Sequence, residues 1–341
     1  MKVKAYIRLF LNKLKRGLRL LLYKRWVRTS IYKLQHFSLP GFRGAPIYDV
    51  LRYFLVGLFD GSISQCAKGL AFSFLTALPP LMIFFFSLVA YFPVDGVQDE
   101  LLANLSDIVP EKVMGPLSDT VNDIMGHRHS TLLSIGFIVS ILFAANGIMG
   151  VITSINFVNR DNEKRPLLQR YLLSVALVFV LYIMVILTIS LMMGNKWLLQ
   201  YIYSRGWLTE TRFNTLLFHI VRWLLITFSI LVTISFIYYW APVKRRRVGF
   251  FSPGALLSMG MFLVLNWGLG VYFNHFNNYN LVYGSIGTLL ILMLWMYLNC
   301  AVLLVGYKLN NSVYDGLITA ENRRSRRELR QKFQIIYKTE N

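Results

Sequence analysis

The stretch YGSIGTLLILMLWMYLNCAVLLVGYKLN, Tyr283 to Asn310, is apolar for most of its length, yet it keeps three glycines, an Asn-Cys pair and a lysine near its end. A core helix of a soluble protein still needs a polar face toward water. Between Ile286 and Asn299 none is supplied. The surroundings must therefore be apolar on every side, as they are inside a bilayer.

The rest of the chain has the same character. Its 341 residues are 55% hydrophobic and 15% aromatic, with only 15% charged, where an average soluble domain carries roughly 25% charged residues. The formal net charge of +20 would suit a nucleic-acid binder if the basic residues formed a patch, but they sit at the ends of oily runs. That placement points to a membrane surface and away from nucleic acid.

Six runs are candidate spans: 66–93, 132–155, 168–193, 214–240, 250–272 and 284–307. Each is long enough, at about 1.5 Å per residue, to cross a hydrocarbon core of about 30 Å. Thirty of the 36 Lys and Arg fall in the first 68 residues, the loops at 156–170 and 241–249, and the tail from Lys308, whereas the alternate loops hold five. This positive-inside bias predicts an all-α polytopic bundle of six transmembrane helices with both termini cytoplasmic. The expected organisation is a basic interfacial segment at 1–65, a membrane domain at 66–310 with a helical outer loop at 94–131, and a basic tail at 311–341.

The N-terminus does not read as a signal peptide. Ile7, Leu11, Leu14, Leu18 and Leu21 recur at helical spacing, with Arg8, Lys15, Arg16 and Arg19 opposite, a pattern suited to an anionic membrane surface. LPGFRGAP, Leu39 to Pro46, breaks the chain before a second amphipathic stretch with Ile47, Leu51, Phe54 and Leu58 on one face. This stretch is expected to form an interfacial elbow leading into the first span. In the outer loop, Met114, Leu117, Val121 and Ile124 repeat at helical spacing. Nearby Asp123, His127 and His129 are ligand types for a metal, but no motif places a further ligand, so they read as ordinary loop residues and no metal is expected.

Signatures of soluble catalysis are missing: there is no GxxxxGK[ST], HExxH or GxSxG, and Cys66 and Cys300 lack the neighbours of an activated thiol. No enzyme activity and no cofactor are expected. The tail ENRRSRRELRQK reads as an anchor for anionic head groups.

Five segments, CAKGLAFSFLTALPPLMIF, SINFVNRDNEKRP, VRWLL with YYWAPVK, FSPGALLSMGMFLVLNWGLGVYF and the opening stretch, resemble in order the signature segments of the BrkB/YihY-like family of bacterial inner-membrane proteins. The likeness covers roughly residues 45–312. It implies a multi-pass protein of the bacterial inner membrane with six spans and cytoplasmic termini. For activity it implies envelope integrity, lipid export or cation exchange, beside an older ribonuclease label that nothing in this sequence supports. The chain departs from the family at one point. Where the pattern at the end of the last span has Gly-Ala-Glu-x-Asn, this chain reads GYKLN, with Lys308 in place of the acid. No proton or cation role of that acid carries over, and Lys308 fits the positive-inside pattern.

In lipid, close backbone approach and interhelical hydrogen bonds hold helices together, which accounts for Gly284, Gly287 and Gly306 as packing residues. The small-residue ridges Gly136, Ser140, Ala144 and Gly69, Ser73, Ala77 read the same way. Pro79 and Pro80 free backbone carbonyls within the first span and mark a kink or a wet cavity. Arg222 is the one charge well inside a span, with His219 a turn earlier. It either lines a pathway or snorkels to the outer surface. Asn146, Asn266 and Asn299 could line a shared cavity or bond across helices. Lys244, Arg245, Arg246 and Arg247 could gather anionic head groups or simply set topology. The expected function is a transporter or flippase-like factor for an anionic amphipathic envelope molecule, a lipid or lipid-linked precursor. The alternatives are a non-catalytic envelope scaffold and, third, a cation/proton antiporter, for which the six spans offer no Asp or Glu. Membrane lipids are the expected partners, and a homo-oligomer is compatible with the sequence.

Overall fold

In the computed structural model, residues 35, 37–89, 102, 114–115, 118–119, 130–161, 163–204, 212–244, 249–275 and 285–339 are described, and for the terminal turns of the long helices the backbone alone. Seven helices and no strand occur among these residues: α1 (Ile47–Leu58), α2 (Ser62–Val89), α3 (Ser130–Val158), α4 (Leu167–Ser204), α5 (Arg212–Trp240), α6 (Pro253–His275) and α7 (Ser285–Thr339). The chain is an all-α membrane protein. Five of the helices are long and apolar enough to cross a bilayer, with apolar cores at Ile135–Val158, Leu167–Thr188, Ile220–Trp240 and Pro253–Tyr272 and in the stretch from Leu289. α2 overlaps the expected first span, 66–93, from 66 to 89 and continues helically through Pro79, exposed, and Pro80, half-buried. The N-terminal amphipathic stretch at 7–23, the residues Asp123, His127 and His129, the cluster Arg245–Arg247 and Gly284 lie outside the described residues.

The described residues fall into two compact units, one up to Phe59 and from Leu309, the other Asp60–Lys308. In the larger unit, consecutive helices pack side by side from α2 to α6. On α3, Ala145, Ile148, Ile152 and Ile155 are buried at alternating spacings of three and four, the period that keeps one helix face toward a neighbour. The small α2 residues Ala67, Ala71 and Ala77 are buried too. Closest approach here uses two glycines that the small-residue ridges did not include: a Cβ on Gly147 would lie 3.4 Å from Phe74, and one on Gly150 3.2 Å from Leu70. Gly69, expected in the ridge, is exposed with open space around it.

Polar pairs inside apolar helices tie the bundle laterally. Tyr182 on α4 donates to Ser140 on α3 at 3.2 Å, and Thr188 on α4 meets Ser229 on α5 at 2.6 Å. α7 reaches α2 through Ser64 and Tyr297 at 3.1 Å and packs on α6 through Leu269, Ile291, Leu265, Trp295 and Leu298. Each bond satisfies a hydroxyl or amide that lipid cannot.

The smaller unit is built from α1 and the end of α7. Ala45, Val50 and Val313 form its core with Phe42, Leu309 and Leu317. Asp49, 1% exposed, accepts both guanidinium nitrogens of Arg323 at 2.8 and 3.0 Å. The arc of α1 turned to protein contains Asp49, Val50 and Gly57. Leu51, on the apolar face expected for an interfacial elbow, is exposed. Through the basic tail from 311, α7 continues to Thr339 without a break.

Candidate functional site

The polar residues of the larger unit concentrate where its basic loops meet. α3 ends in a Schellman turn: the Arg160 N–H donates to the Phe157 carbonyl at 2.9 Å and the Asp161 N–H to the Asn156 carbonyl at 2.9 Å. This turn requires a left-handed residue, normally glycine, and here Arg160 holds it at φ 56°. Asn156, 1% exposed, is the hub beneath it. Its amide nitrogen donates to the Ile152 carbonyl at 2.9 Å and to Glu163 at 2.8 Å, and its oxygen accepts the Val243 N–H at 3.1 Å. Glu163 in turn accepts the Arg165 backbone N–H and two of its guanidinium nitrogens at 2.9–3.1 Å. Arg165 also donates to the Ala241 carbonyl at 2.8 Å, and Lys244 pairs with the buried Asp161 at 3.1 Å. The α3–α4 loop is thereby locked to the α5–α6 loop.

Burial alone would raise the Glu163 carboxyl, but the hydrogen bonds and charge of Arg165, with the charge of Arg170, outweigh it and hold the group below the ordinary carboxylate range. Lys308 completes the cluster by donating to the Val158 carbonyl at 3.1 Å, one of the C-terminal carbonyls of α3 that no helical N–H can reach. An acid at 308, as in the family pattern, could not make this bond.

Beside the Schellman turn lies an open cleft of about 580 Å³ lined by Asp60, Gly61, Ser62, Gln65, Phe157, Arg160 and Asp161. Arg160 projects into solvent, its side chain 80% exposed, and one of its nitrogens contacts both oxygens of Asp60 at 3.0 and 3.2 Å. Exposed pairs of this kind contribute about 0–1 kcal/mol, whereas a left-handed non-glycine residue costs about 1–2 kcal/mol. The pair therefore does not explain why arginine stands here.

Deeper in the bundle, α6 begins with Ser252 accepting the Ala255 N–H at 3.2 Å and Pro253 in the first helical position. This sets Ser258 against Tyr238 at 2.6 Å and the Val302 carbonyl at 3.2 Å, directly over Gly306, where a Cβ would collide with Ser258, Gly254 and Tyr238. Of the expected membrane-depth residues, Asn266 and Asn299 are brought together. Asn266 donates to Asn299 at 3.1 Å and to the Phe262 carbonyl, and accepts the Trp295 indole N–H at 2.7 Å; Asn299 donates to the Trp295 carbonyl. Asn146 is not in this group and lies exposed on α3. Arg222 is half-buried on α5, and His219 stands a turn before it, where only the backbone is described. Gly287 lies in the first turn of α7. Lys244 is exposed and joined to Asp161.

Sequence reasoning missed Asn156, Arg160, Asp161, Glu163 and Arg165 as a group. The signal was present, since SINFVNRDNEKRP holds two carboxylates among three cations directly after an apolar helix. Their partners lie some 80 residues further along the chain.

The family described as virulence factor BrkB matches residues 56–331, most of the chain. The chain belongs to the virulence factor BrkB family. Among BrkB-like relatives, the ribonuclease-like protein YfkH of Bacillus subtilis (strain 168) is 26% identical over 245 residues, 71% of this chain and 86% of YfkH. UPF0761 membrane proteins of Xanthomonas oryzae pv. oryzae (strain PXO99A) and Xanthomonas axonopodis pv. citri (strain 306) are each 25% identical over 262 residues, 74% of this chain. The chain spans 58% of the length of each Xanthomonas protein. No solved structure matches it. Family membership and the apolar helices together make this a multi-pass membrane protein.

Proposed function

We propose that this BrkB-family membrane protein is a transporter or flippase-like factor for an anionic amphipathic envelope molecule, whose head group enters at the Arg160 cleft. The observation that carries the reading is Arg160 itself, an exposed guanidinium kept in a left-handed turn at an open cleft. Backbone strain of this kind persists where the side chain has a use. Guanidinium binds phosphate by a bidentate fork, and Phe157, 57% exposed at the same cleft, offers an apolar surface to the adjoining part of a lipid. Lys244 to Arg247 gather the cargo at the inner leaflet, and Arg222 meets it toward the outer one.

The scaffold reading has its own support, because Asn266, Asn299 and Trp295 bond to one another and so act as glue between α6 and α7. The test uses purified protein in liposomes, following leaflet exchange of anionic and zwitterionic lipid probes beside sodium-dependent proton flux. Exchange of the anionic probe that falls at least about tenfold in Arg160→Gly and in Arg222→Leu, with both variants folded, supports the proposal. Proton flux without lipid exchange favours the antiporter, and silence in both assays favours the scaffold.

A further inference from the structure

We infer that α1 is a membrane-surface anchor whose exposed apolar arc lies in the head-group and acyl boundary of the bilayer, held facing that way by the Asp49–Arg323 pair. At 100° per residue, Leu51, Leu55 and Phe59 form one row, with Val56 beside it. Their exposures are 45, 50, 87 and 68%. The opposite arc is already occupied by the chain itself. Asp49 is 1% exposed and doubly bonded to Arg323, Val50 is fully buried on Ala45 and Val313, Tyr53 meets Thr319 at 3.0 Å, and a Cβ on Gly316 would lie 3.2 Å from Val50.

Two observations identify lipid as the occupant. Phe59 is three residues from Ser62, the start of an apolar helix of 28 residues. The exposed Arg43 and Arg52 stand before and beside the apolar row and match anionic head groups in charge. An apolar row edged with cations is the pattern of helices that lie in a membrane interface. The Asp49–Arg323 pair prevents the helix from rolling, because a half-turn would bury the row and put a carboxylate toward the lipid. This inference concerns a surface outside the Arg160 cleft and stands whether or not the protein moves lipid.

The test places a fluorescent label on single cysteines at Leu55→Cys and Phe59→Cys, with Glu321→Cys as control, in full-length protein lacking Cys66 and Cys300 and shown to keep its wild-type Tm. The protein is reconstituted in vesicles of phosphatidylglycerol and phosphatidylcholine with brominated acyl chains. Lipid quenching at 55 and 59 should exceed that at 321 at least about threefold, with iodide in the aqueous phase showing the reverse order. Asp49→Asn and Arg323→Gln should reduce the ratio toward one while the protein stays membrane-inserted. Labels at 55 and 59 quenched by iodide and untouched by bromine would overturn the inference. So would labels shielded from both quenchers and cross-linking between copies, which would assign the face to a second protomer.

Discussion

Arg160 occupies a conformation that glycine holds without strain. Arg160→Gly should therefore raise the Tm in detergent, by an amount equivalent to about 1 kcal/mol, because it relieves the left-handed backbone and loses only an exposed ion pair. A fall in Tm would show that the Asp60 contact is structural. Asn156 predicts the opposite behaviour. Asn156→Ala strands the half-buried Val243 N–H and removes a donor from Glu163, which should cost about 1–3 kcal/mol in thermal unfolding. Lys308→Glu, which restores the family acid, sets a carboxylate against the Val158 carbonyl; it should lower the Tm more than Lys308→Gln does. Glu163 supplies a pH test. Its folded-state pKa lies below the ordinary 4.5, so its contribution is present above that value and is lost as pH falls through the lower one. Glu163→Gln should thus be less stable than wild type at neutral pH, and the gap should close in a Tm–pH series as pH falls below the ordinary carboxylate range.

At the scale of elements, the crossing of α5, α6 and α7 depends on one absent side chain. A Cβ at Gly306 would come within 3 Å of the Gly254 carbonyl and the Tyr238 hydroxyl. Gly306→Ala should cost about 1–3 kcal/mol, the usual result of overpacking a filled core. Gly260→Ala and Gly268→Ala, with nothing within 4 Å of the added methyl, should be neutral or slightly stabilising in the same assay. Three equal losses would mean that the helices need flexibility rather than closeness at these glycines. The opening stretch of the sequence thus finds part of its explanation in packing: Gly306 admits Ser258 and Tyr238, and Asn299 binds α7 to α6.

For the whole molecule, the basic loops that charge counting placed on one side are joined to one another, through Arg165 to Ala241, Lys244 to Asp161 and Lys308 to Val158. Six spans with that side cytoplasmic predict a labelling pattern. In sealed cells, cysteines at Asn104→Cys and Asn278→Cys should react with an impermeant thiol reagent, and one at Arg245→Cys should not. Labelling at 245 would reverse or break the topology.

Sequence alone determined the fold class, the long apolar helices and the clustering of positive charge, because hydrophobic length and the placement of Lys and Arg are properties of a chain in lipid that need no knowledge of neighbours. It also singled out Gly306 as a packing residue, and Asn266 and Asn299 as polar residues that either line a cavity or bond across helices. What it could not supply was partnership. Asn156 gains its role from Val243 and Glu163, Asp49 from Arg323, 274 residues away, and Arg160 from a turn geometry that any helix end could have taken. Those pairings arise when distant segments are brought together, and periodicity carries no record of which segments meet. The same holds for α1: helical spacing marks an apolar row containing Leu51, but only the packing of Asp49 and Val50 on the end of α7 decides that this row faces outward.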